Sequence, residues 1–137
     1  MKIIIIFFVT LFFLFKTVTI NAQQNLVTLI NTQRSVPLTE NAQLDQSAMT
    51  KACDMAKQGY WSHYTPQGIS PWAFIWNAGY HYVWAGENIA KNFSNDNSVV
   101  VAWLNSPTHR TVMLSTIYRE IGVAHCGNIV VAHFGRR

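Results

Sequence analysis

Three patterns in the sequence predict an α+β fold. Apolar residues recur at helical spacing through much of the chain, and strict apolar/polar alternation is confined to the carboxyl end. There the pair Gly127-Asn128 separates two short runs that have the composition of strands. Helices followed by a hairpin indicate helices packed over a small antiparallel sheet. With 137 residues, the chain is long enough for one domain with its own core.

The amino end has the layout of a secretory signal peptide. Lys2 precedes an apolar run over residues 3–15, and the polar stretch KTVTINA ends at Ala22. The run is shorter than the roughly 20 residues that a membrane-spanning helix needs. We therefore expect residues 1–22 to be removed, leaving a single domain over 23–137 with no transmembrane span. The alternative is an uncleaved amino-terminal anchor.

The charge of the mature chain excludes some classes of partner. Removing residues 1–22 takes away Lys2 and Lys16, which leaves eight basic residues against six acidic ones, a net charge of +2. That charge is too small and too scattered to indicate a nucleic acid or a charged membrane surface as partner. No internal repeat or low-complexity segment is present, and we expect a monomer.

The first two helices follow from apolar spacing. Leu26, Leu29 and Ile30 share one face of a helix in QNLVTLINTQR. A longer helix is predicted over about 41–58, where apolar residues again recur every three or four positions and Gly59 can end the helix in a left-handed cap.

The middle of the chain carries weaker signals. Ser70 before Pro71 predicts the start of a short helix that stops at Gly79. The stretch VWAGENIAKNF is not periodic, and we interpret it as extended and partly buried, with a turn at Gly86.

The closing segments are more regular. In NDNSVVVAWLN, Asn and Asp can cap a helix whose apolar face contains Val99, Val100 and Trp103. Period-two alternation through residues 120–125 predicts a strand, and residues 129–134 predict its hairpin partner.

The two cysteines of the chain allow two interpretations. In an exported protein, Cys53 and Cys126 meet oxidising surroundings and can form a disulfide bond. They can equally be two separately buried thiols, which behave as small apolar side chains. The sequence gives no distance between them, and both alternatives stay open.

The turn LNSPTHRTVML places a serine three residues before a histidine, the order of a nucleophile and its base. Ser106 is followed by Pro107, however, which is the same capping pattern as Ser70-Pro71. A nucleophilic serine needs a base, a group that orients the base, and oxyanion donors. No acidic residue or glycine-rich elbow accompanies His109. We therefore interpret Ser106 as a helix cap.

Several motifs in order resemble a known family. YWSHYTPQG, AGENIA, AWLNSPTHRTVML with YREIGVA, and VVAHFG are similar to the bacterial, SCP-like extracellular branch of the CAP superfamily. That superfamily comprises cysteine-rich secretory proteins, antigen-five proteins and pathogenesis-related proteins of group one. The likeness runs from about Leu26 to Gly135. It implies an α–β–α sandwich, in which a small, mainly antiparallel sheet lies between helical layers beside a central cleft.

The resemblance also implies the residues of that cleft. By motif, the two histidines of the family correspond to His63 and His109, and one of its two glutamates corresponds to Glu87. The second glutamate follows a tryptophan by three positions, and counting from Trp103 this position holds Ser106. The chain therefore keeps three of the four cleft groups, which puts any mechanism that needs both carboxylates in doubt.

Three roles stay open for these groups. They can form a hydrogen-bonded structural cluster, a zinc site with His63 and His109 as ligands beside Glu87, or a hydrolytic site. The spacing of the histidines by itself is no metal signature. No cofactor is required by the sequence, and zinc is the metal that the resemblance suggests. No catalytic residue is assigned.

The aromatic residues near the cleft motifs also have two interpretations. Trp61, Trp72, Trp76, Tyr80, Tyr82 and Trp84 fall around the segment from His63 to Glu87. Core packing is the expectation, because aromatic side chains dominate small cores. The alternative, suggested by the family, is an open apolar groove for a lipid or sterol.

Two functions follow from the sequence and the resemblance. The first is a secreted module, extracellular or periplasmic, that binds a small molecule, a lipid or a protein. The second is a zinc-assisted hydrolase or peptidase in which Glu87 acts as base for a zinc-bound water. Loss of the second cleft carboxylate and the lack of a nucleophile arrangement favour the binding module.

Overall fold

The computed structural model describes residues 22–137, with side chains from Leu26 onward. The predicted signal peptide lies, apart from its last residue, outside the described residues. The elements are α1 (Ala22–Thr32), β1 (Thr39–Glu40), α2 (Ala42–Gln58), α3 (Pro71–Asn77), β2 (Trp84–Lys91), α4 (Asp96–Asn105), α5 (Pro107–Leu114), β3 (Glu120–Cys126) and β4 (Ile129–Arg136). Over 22–137, no helix is both long and apolar enough to cross a membrane.

The four strands form one sheet in the order β1-β3-β4-β2. β3 and β4 form the predicted antiparallel hairpin, and β2 pairs antiparallel with β4 along its whole length. β1 adds two residues parallel to β3. β1 was not predicted from the sequence, because two residues are too few to show a period of two. The sheet is thus mixed but mainly antiparallel, and the α+β prediction is confirmed.

Helices cover both faces of the sheet. On one face, Ala48, Ala52 and Met55 of α2 pack against Ile89, Ala124 and Val131. On the other face, apolar residues of α1, α4 and α5 pack against the alternate residues of the strands. This core includes Leu26, Ile30, Val99, Trp103 and Met113 from the helices and Val123, Ala132 and Phe134 from the strands. Because successive side chains of a strand point to opposite faces, neighbouring residues such as Val123 and Ala124 enter different layers. The α–β–α sandwich that the resemblance implied is therefore present.

The predicted long helix, α2, is bounded as its sequence suggests. The Asn41 side chain accepts hydrogen bonds from the backbone N–H groups of Gln43 (2.9 Å) and Leu44 (3.2 Å). Gly59, at φ 70°, ends the helix in the left-handed conformation. α2 crosses the sheet so closely at Gly122 that an added Cβ there would lie 2.0 Å from the Leu44 carbonyl carbon.

The predicted turn at Gly86 is wrong. β2 runs without interruption from Trp84 to Lys91, and Gly86 is buried within it. The glycine is required by a neighbour rather than by a turn. A Cβ at Gly86 would lie 2.6 Å from the Tyr118 hydroxyl oxygen and 3.1 Å from Val112 Cγ1. Close approach of another side chain is the second common reason for a glycine in a strand.

Cys53 and Cys126 form a disulfide bond, which decides between the two alternatives for the cysteines. The bond ties α2 to the end of β3 across a sequence separation of 73 residues. It adds a covalent link between one helical layer and the sheet.

Candidate functional site

Glu87 lies at the centre of a buried hydrogen-bonded cluster. Its position in β2 places it opposite His133 of β4. Glu87 Oε1 is 2.6 Å from His63 Nδ1, and Glu87 Oε2 is 2.8 Å from His133 Nε2. The Glu87 side chain is 1% exposed and that of His133 is fully buried. One carboxylate therefore bridges two imidazoles, one of which reaches the surface.

The cluster continues behind His133 into α2. His133 Nδ1 is 2.6 Å from Ser47 Oγ, and that hydroxyl donates to the Leu44 carbonyl oxygen at 2.9 Å. Both ring nitrogens of His133 are therefore hydrogen-bonded, as a buried polar side chain requires. The chain of contacts fixes Glu87 from inside the molecule.

The side chain of Lys51 fixes the loop that carries His63 by bonding to the backbone of that loop. This fully buried lysine of α2 donates to the His63 carbonyl oxygen at 2.7 Å and to the Tyr60 hydroxyl at 3.2 Å. The Tyr60 hydroxyl donates in turn to Asp54 at 2.6 Å. Burial lowers the pKa of Lys51, and the nearby carboxylates of Glu87 and Asp54 oppose that shift. His63 is thus fixed both at its carbonyl group and at its imidazole.

Glu87 is held in the ionised state. Burial opposes ionisation, but hydrogen bonds from His133 and His63, together with the charges of His133 and Lys51, keep the pKa of Glu87 below its ordinary value. An ionised carboxylate accepts hydrogen bonds only. His63 therefore donates through Nδ1–H, and its Nε2 has no hydrogen-bond partner among residues 26–137.

Ser106 stands at the predicted cap position of α5, but its hydroxyl makes no capping bond to the backbone. Instead, Ser106 Oγ is 2.7 Å from His109 Nδ1. The expectation of a side-chain cap is therefore wrong. The Ser106 hydroxyl bonds the imidazole of the third helical residue instead of the backbone N–H groups that a cap side chain normally binds. Among residues 26–137 nothing hydrogen-bonds to His109 Nε2, so the pair lacks the third group that orients a catalytic base.

His109 lies within electrostatic reach of His63. Burial, and next the charge of His63, lower the pKa of His109 below its ordinary value. Asn88, the neighbour of Glu87, donates to the His109 carbonyl oxygen at 3.0 Å and so fastens α5 to β2. Of the three residues implied by the resemblance, His63 and Glu87 hydrogen-bond each other, and His109 is joined to β2 through its backbone.

The donor set fits a metal only in part. His63 and His109 each have Nδ1 engaged by an oxygen, the arrangement that orients the other ring nitrogen toward a metal. Both Glu87 oxygens are occupied by imidazoles, so Glu87 supports a ligand rather than being one. Within the described chain, no group of three or more His, Cys, Asp or Glu side chains is placed to hold a metal ion. Catalytic zinc sites have three protein ligands.

A cavity of about 320 Å³ opens beside His63. It runs across the edge strand β2 and is lined by His63, Tyr64, Pro71, Trp72, Ala85, Gly86, Glu87, Val112 and Tyr118. Apart from the two members of the cluster, the wall is apolar or aromatic. We refer to this cavity as the cleft.

The expectation that the aromatic residues pack in the core is wrong for the tryptophans. Trp61, Trp76 and Trp84 are each about half exposed, and Trp72 is 36% exposed. Of the six aromatic residues considered, only Tyr80 is fully buried. Of the six, Trp72 lines the cleft.

Sequence reasoning did not find His133, Ser47 or Lys51. His133 lies in the quoted motif VVAHFG, and pairing a continuous β2 with β4 places it directly opposite Glu87. A turn at Gly86 would have interrupted β2, so the expected turn hid the pairing of Glu87 with His133. A fully buried lysine has no signature in the apolar pattern of α2, because its alkyl chain occupies an apolar position.

Comparison with known proteins decides the family. The model of the cysteine-rich secretory protein family, CAP, matches residues 29–129. The chain belongs to the CAP family. The uncharacterised protein YkwD of Bacillus subtilis is 36% identical over 107 residues, which cover 75% of this chain and 42% of YkwD. The uncharacterised membrane protein YlbC of the same species is 34% identical over 51% of this chain and 20% of its own length. This CAP chain thus spans less than half of either relative.

Solved structures with the CAP fold agree. An extracellular protein containing an SCP domain from Bacillus anthracis has a TM-score of 0.81 at 28% identity, covering 85% of this chain and 40% of that one. An outer surface protein of Borrelia burgdorferi has a TM-score of 0.78 at 26% identity, covering 87% of this chain and 95% of that one. Both confirm the bacterial SCP-like fold.

Proposed function

We propose that this CAP domain is an exported binding module whose cleft takes an amphiphile, with His63 contacting the polar group of the ligand. The observation that carries the proposal is the position of His63. Its side chain is 48% exposed in the wall of an apolar cleft, while Glu87 behind it is 1% exposed. A single fixed polar group in an apolar wall is typical of small-molecule sites.

Rigidity of His63 supports the same proposal. Lys51 bonds its carbonyl oxygen and Glu87 bonds its imidazole, so little side-chain freedom remains to be lost when a ligand binds. Trp72 and Tyr64 supply exposed aromatic surface for the apolar part of the ligand.

Export is part of the proposal. The disulfide between Cys53 and Cys126 is of a kind that persists in oxidising compartments. The solved relatives described as an extracellular protein and an outer surface protein are consistent with it.

Hydrolysis is less well supported than binding. The Ser106–His109 pair lacks an orienting group, and Glu87 has both oxygens engaged by imidazoles. A zinc-bound water would therefore find no free carboxylate as base at this position.

Calorimetric titration with decanoate tests the amphiphile proposal. We expect saturable binding to the mature protein, weakened about tenfold by His63→Ala because the polar end of the ligand loses a hydrogen bond. Trp72→Ala should weaken binding as well, through lost apolar contact. His81→Ala is the matched control, since His81 stacks on Trp76 and does not line the cleft. Absence of heat, or equal affinity in His63→Ala and wild type, would contradict the proposal.

A second candidate ligand is a divalent metal held by His63 and His109. The observation favouring it is that His109 lies within electrostatic reach of His63, and each imidazole has Nδ1 engaged by an oxygen. Bound zinc would act there as a Lewis acid toward a ligand oxygen. With two protein ligands, we expect weaker binding than in three-histidine sites.

Zinc titration of tag-free protein checks this candidate. Neutral imidazole is the ligand form, so affinity should be higher at about pH 7.5 than at about pH 5.5. His63→Ala and His109→Ala should each remove most of the heat, and His81→Ala should leave it unchanged. Zinc heat that survives both His63→Ala and His109→Ala would place the metal elsewhere and refute the candidate.

A further inference from the structure

A second cavity, of about 300 Å³, lies where α4 meets the ends of β3 and β4. Its walls are formed by Phe93, Ser94, Asn95, Asp96, Val99, His125 and Val130. None of these residues lines the cleft beside His63. The cavity therefore belongs to a different part of the domain, and neither proposed ligand of the cleft involves it. We call it the α4 cavity.

Asp96 and His125 form a pair in the wall of the α4 cavity. Asp96 Oδ1 is 2.7 Å from His125 Nε2, and the Asp96 side chain is 7% exposed. Asp96 Oδ2 is different. It is the one buried side-chain oxygen or nitrogen of the described residues that has no hydrogen-bond partner. Leaving a buried carboxylate oxygen without a donor is costly, so the position calls for one.

The surroundings of Asp96 explain why the carboxylate is tolerated but do not satisfy it. Asp96 is the first residue of α4, where the helix dipole favours a negative charge. The Asn95 side chain caps the helix by accepting from Ser98 N–H at 2.9 Å, and its amide group bonds to Ser94. Neither interaction supplies a donor to Asp96 Oδ2.

The chemistry of the α4 cavity selects the class of ligand. Asp96 is the sole acidic side chain in the wall, and no lysine or arginine lines it. An anion would be repelled, whereas a ligand with N–H groups and a positive charge would satisfy Oδ2. The Phe93 ring, 41% exposed, offers a face to a cation, and Val99 and Val130 offer apolar contact. A metal would need further protein ligands, and no group of three is present among the described residues.

We propose that the α4 cavity binds a primary ammonium group carried on a short alkyl chain. The ammonium donates a hydrogen bond to Asp96 Oδ2, and its charge faces the Phe93 ring. The alkyl chain lies against Val99 and Val130. His125 holds the other carboxylate oxygen and so fixes the direction of Asp96.

Titration calorimetry with n-butylammonium tests the proposal on the mature protein. n-Butanol, which lacks the charge, and tetramethylammonium, which lacks N–H donors, are the matched probes. We expect butylammonium to bind saturably and each of the other two to bind at least about tenfold more weakly. Butanol can donate only a neutral hydrogen bond to the Asp96 carboxylate, and tetramethylammonium can donate none.

Two variants and one control locate the site. Asp96→Asn should weaken butylammonium binding at least about tenfold, and Phe93→Ala, at an exposed ring, should weaken it severalfold. Asp45→Asn is the control, because Asp45 is the corresponding first-turn carboxylate of α2 and lies outside the α4 cavity. Undetectable butylammonium binding overturns the proposal. The proposal is also overturned if tetramethylammonium binds as tightly as butylammonium. It is overturned as well if Phe93→Ala and Asp96→Asn bind butylammonium with the affinity of the wild type.

Discussion

Glu87→Ala should destabilise the protein by about 3–5 kcal/mol, the cost of removing one partner of a buried ion pair. The substitution leaves the fully buried His133 without its Nε2 partner and frees the His63 ring. It also opens a void at a position that is 1% exposed in the wild-type protein. Urea unfolding at pH 7 measures the loss.

Glu87→Gln is the matched variant, since the amide keeps the size of the side chain and loses only the charge. We expect a smaller loss, because the amide can still bond both imidazoles. The pKa of Glu87 is lower in the folded protein than its ordinary value, so its ionisation stabilises the fold above the unfolded-state pKa of about 4.3. That contribution disappears as the pH falls through the folded-state pKa. The stability difference between wild type and Glu87→Gln should therefore narrow on acidification, and a constant difference would contradict the ionised bridge.

Removing the disulfide should cost about 4 kcal/mol. The bond between Cys53 and Cys126 closes a loop with a sequence separation of 73, which limits the freedom of the unfolded chain. The double variant Cys53→Ser with Cys126→Ser should show this loss in urea unfolding, and a thiol reductant should give wild type a similar loss.

The double serine variant serves as the control for the reductant. The reductant should leave this variant unchanged, because the variant has no bond to break. A wild-type unfolding midpoint that does not move with reductant would mean that the cysteines are not bonded in solution.

The helices and the hairpin could be predicted because each depends on local signals. The Asn41 cap, Gly59 and the apolar spacing between them define α2 without reference to any other segment. β2 could not be predicted in the same way. Its side chains are buried on both faces, so the sequence shows no alternation, and Gly86 imitates a turn although its cause is Tyr118, 32 positions away.

In the candidate site, too, residues marked by local motifs could be predicted, and contacts that depend on strand pairing could not. His63, Glu87 and His109 are implied by motifs, and of these His63 and Glu87 hydrogen-bond each other. The contact between Glu87 and His133 follows instead from the register of β2 and β4. Ser106 could be read as a cap from its neighbour Pro107, but its bond to His109 depends on the rotamer that the folded turn selects.

The hydrogen bond from His63 Nδ1–H to ionised Glu87 leaves Nε2 as the ring nitrogen free for a ligand, and this is the central feature of the proposed site. A long-range ¹H–¹⁵N NMR spectrum of the histidine rings, recorded at about pH 8 where an unperturbed imidazole is neutral, reports which nitrogen carries the proton. The account predicts that His63 is protonated at Nδ1 and bare at Nε2, in contrast to the Nε2–H form that free histidine favours. A His63 ring that is protonated at Nε2, or that exchanges between both forms, would contradict it.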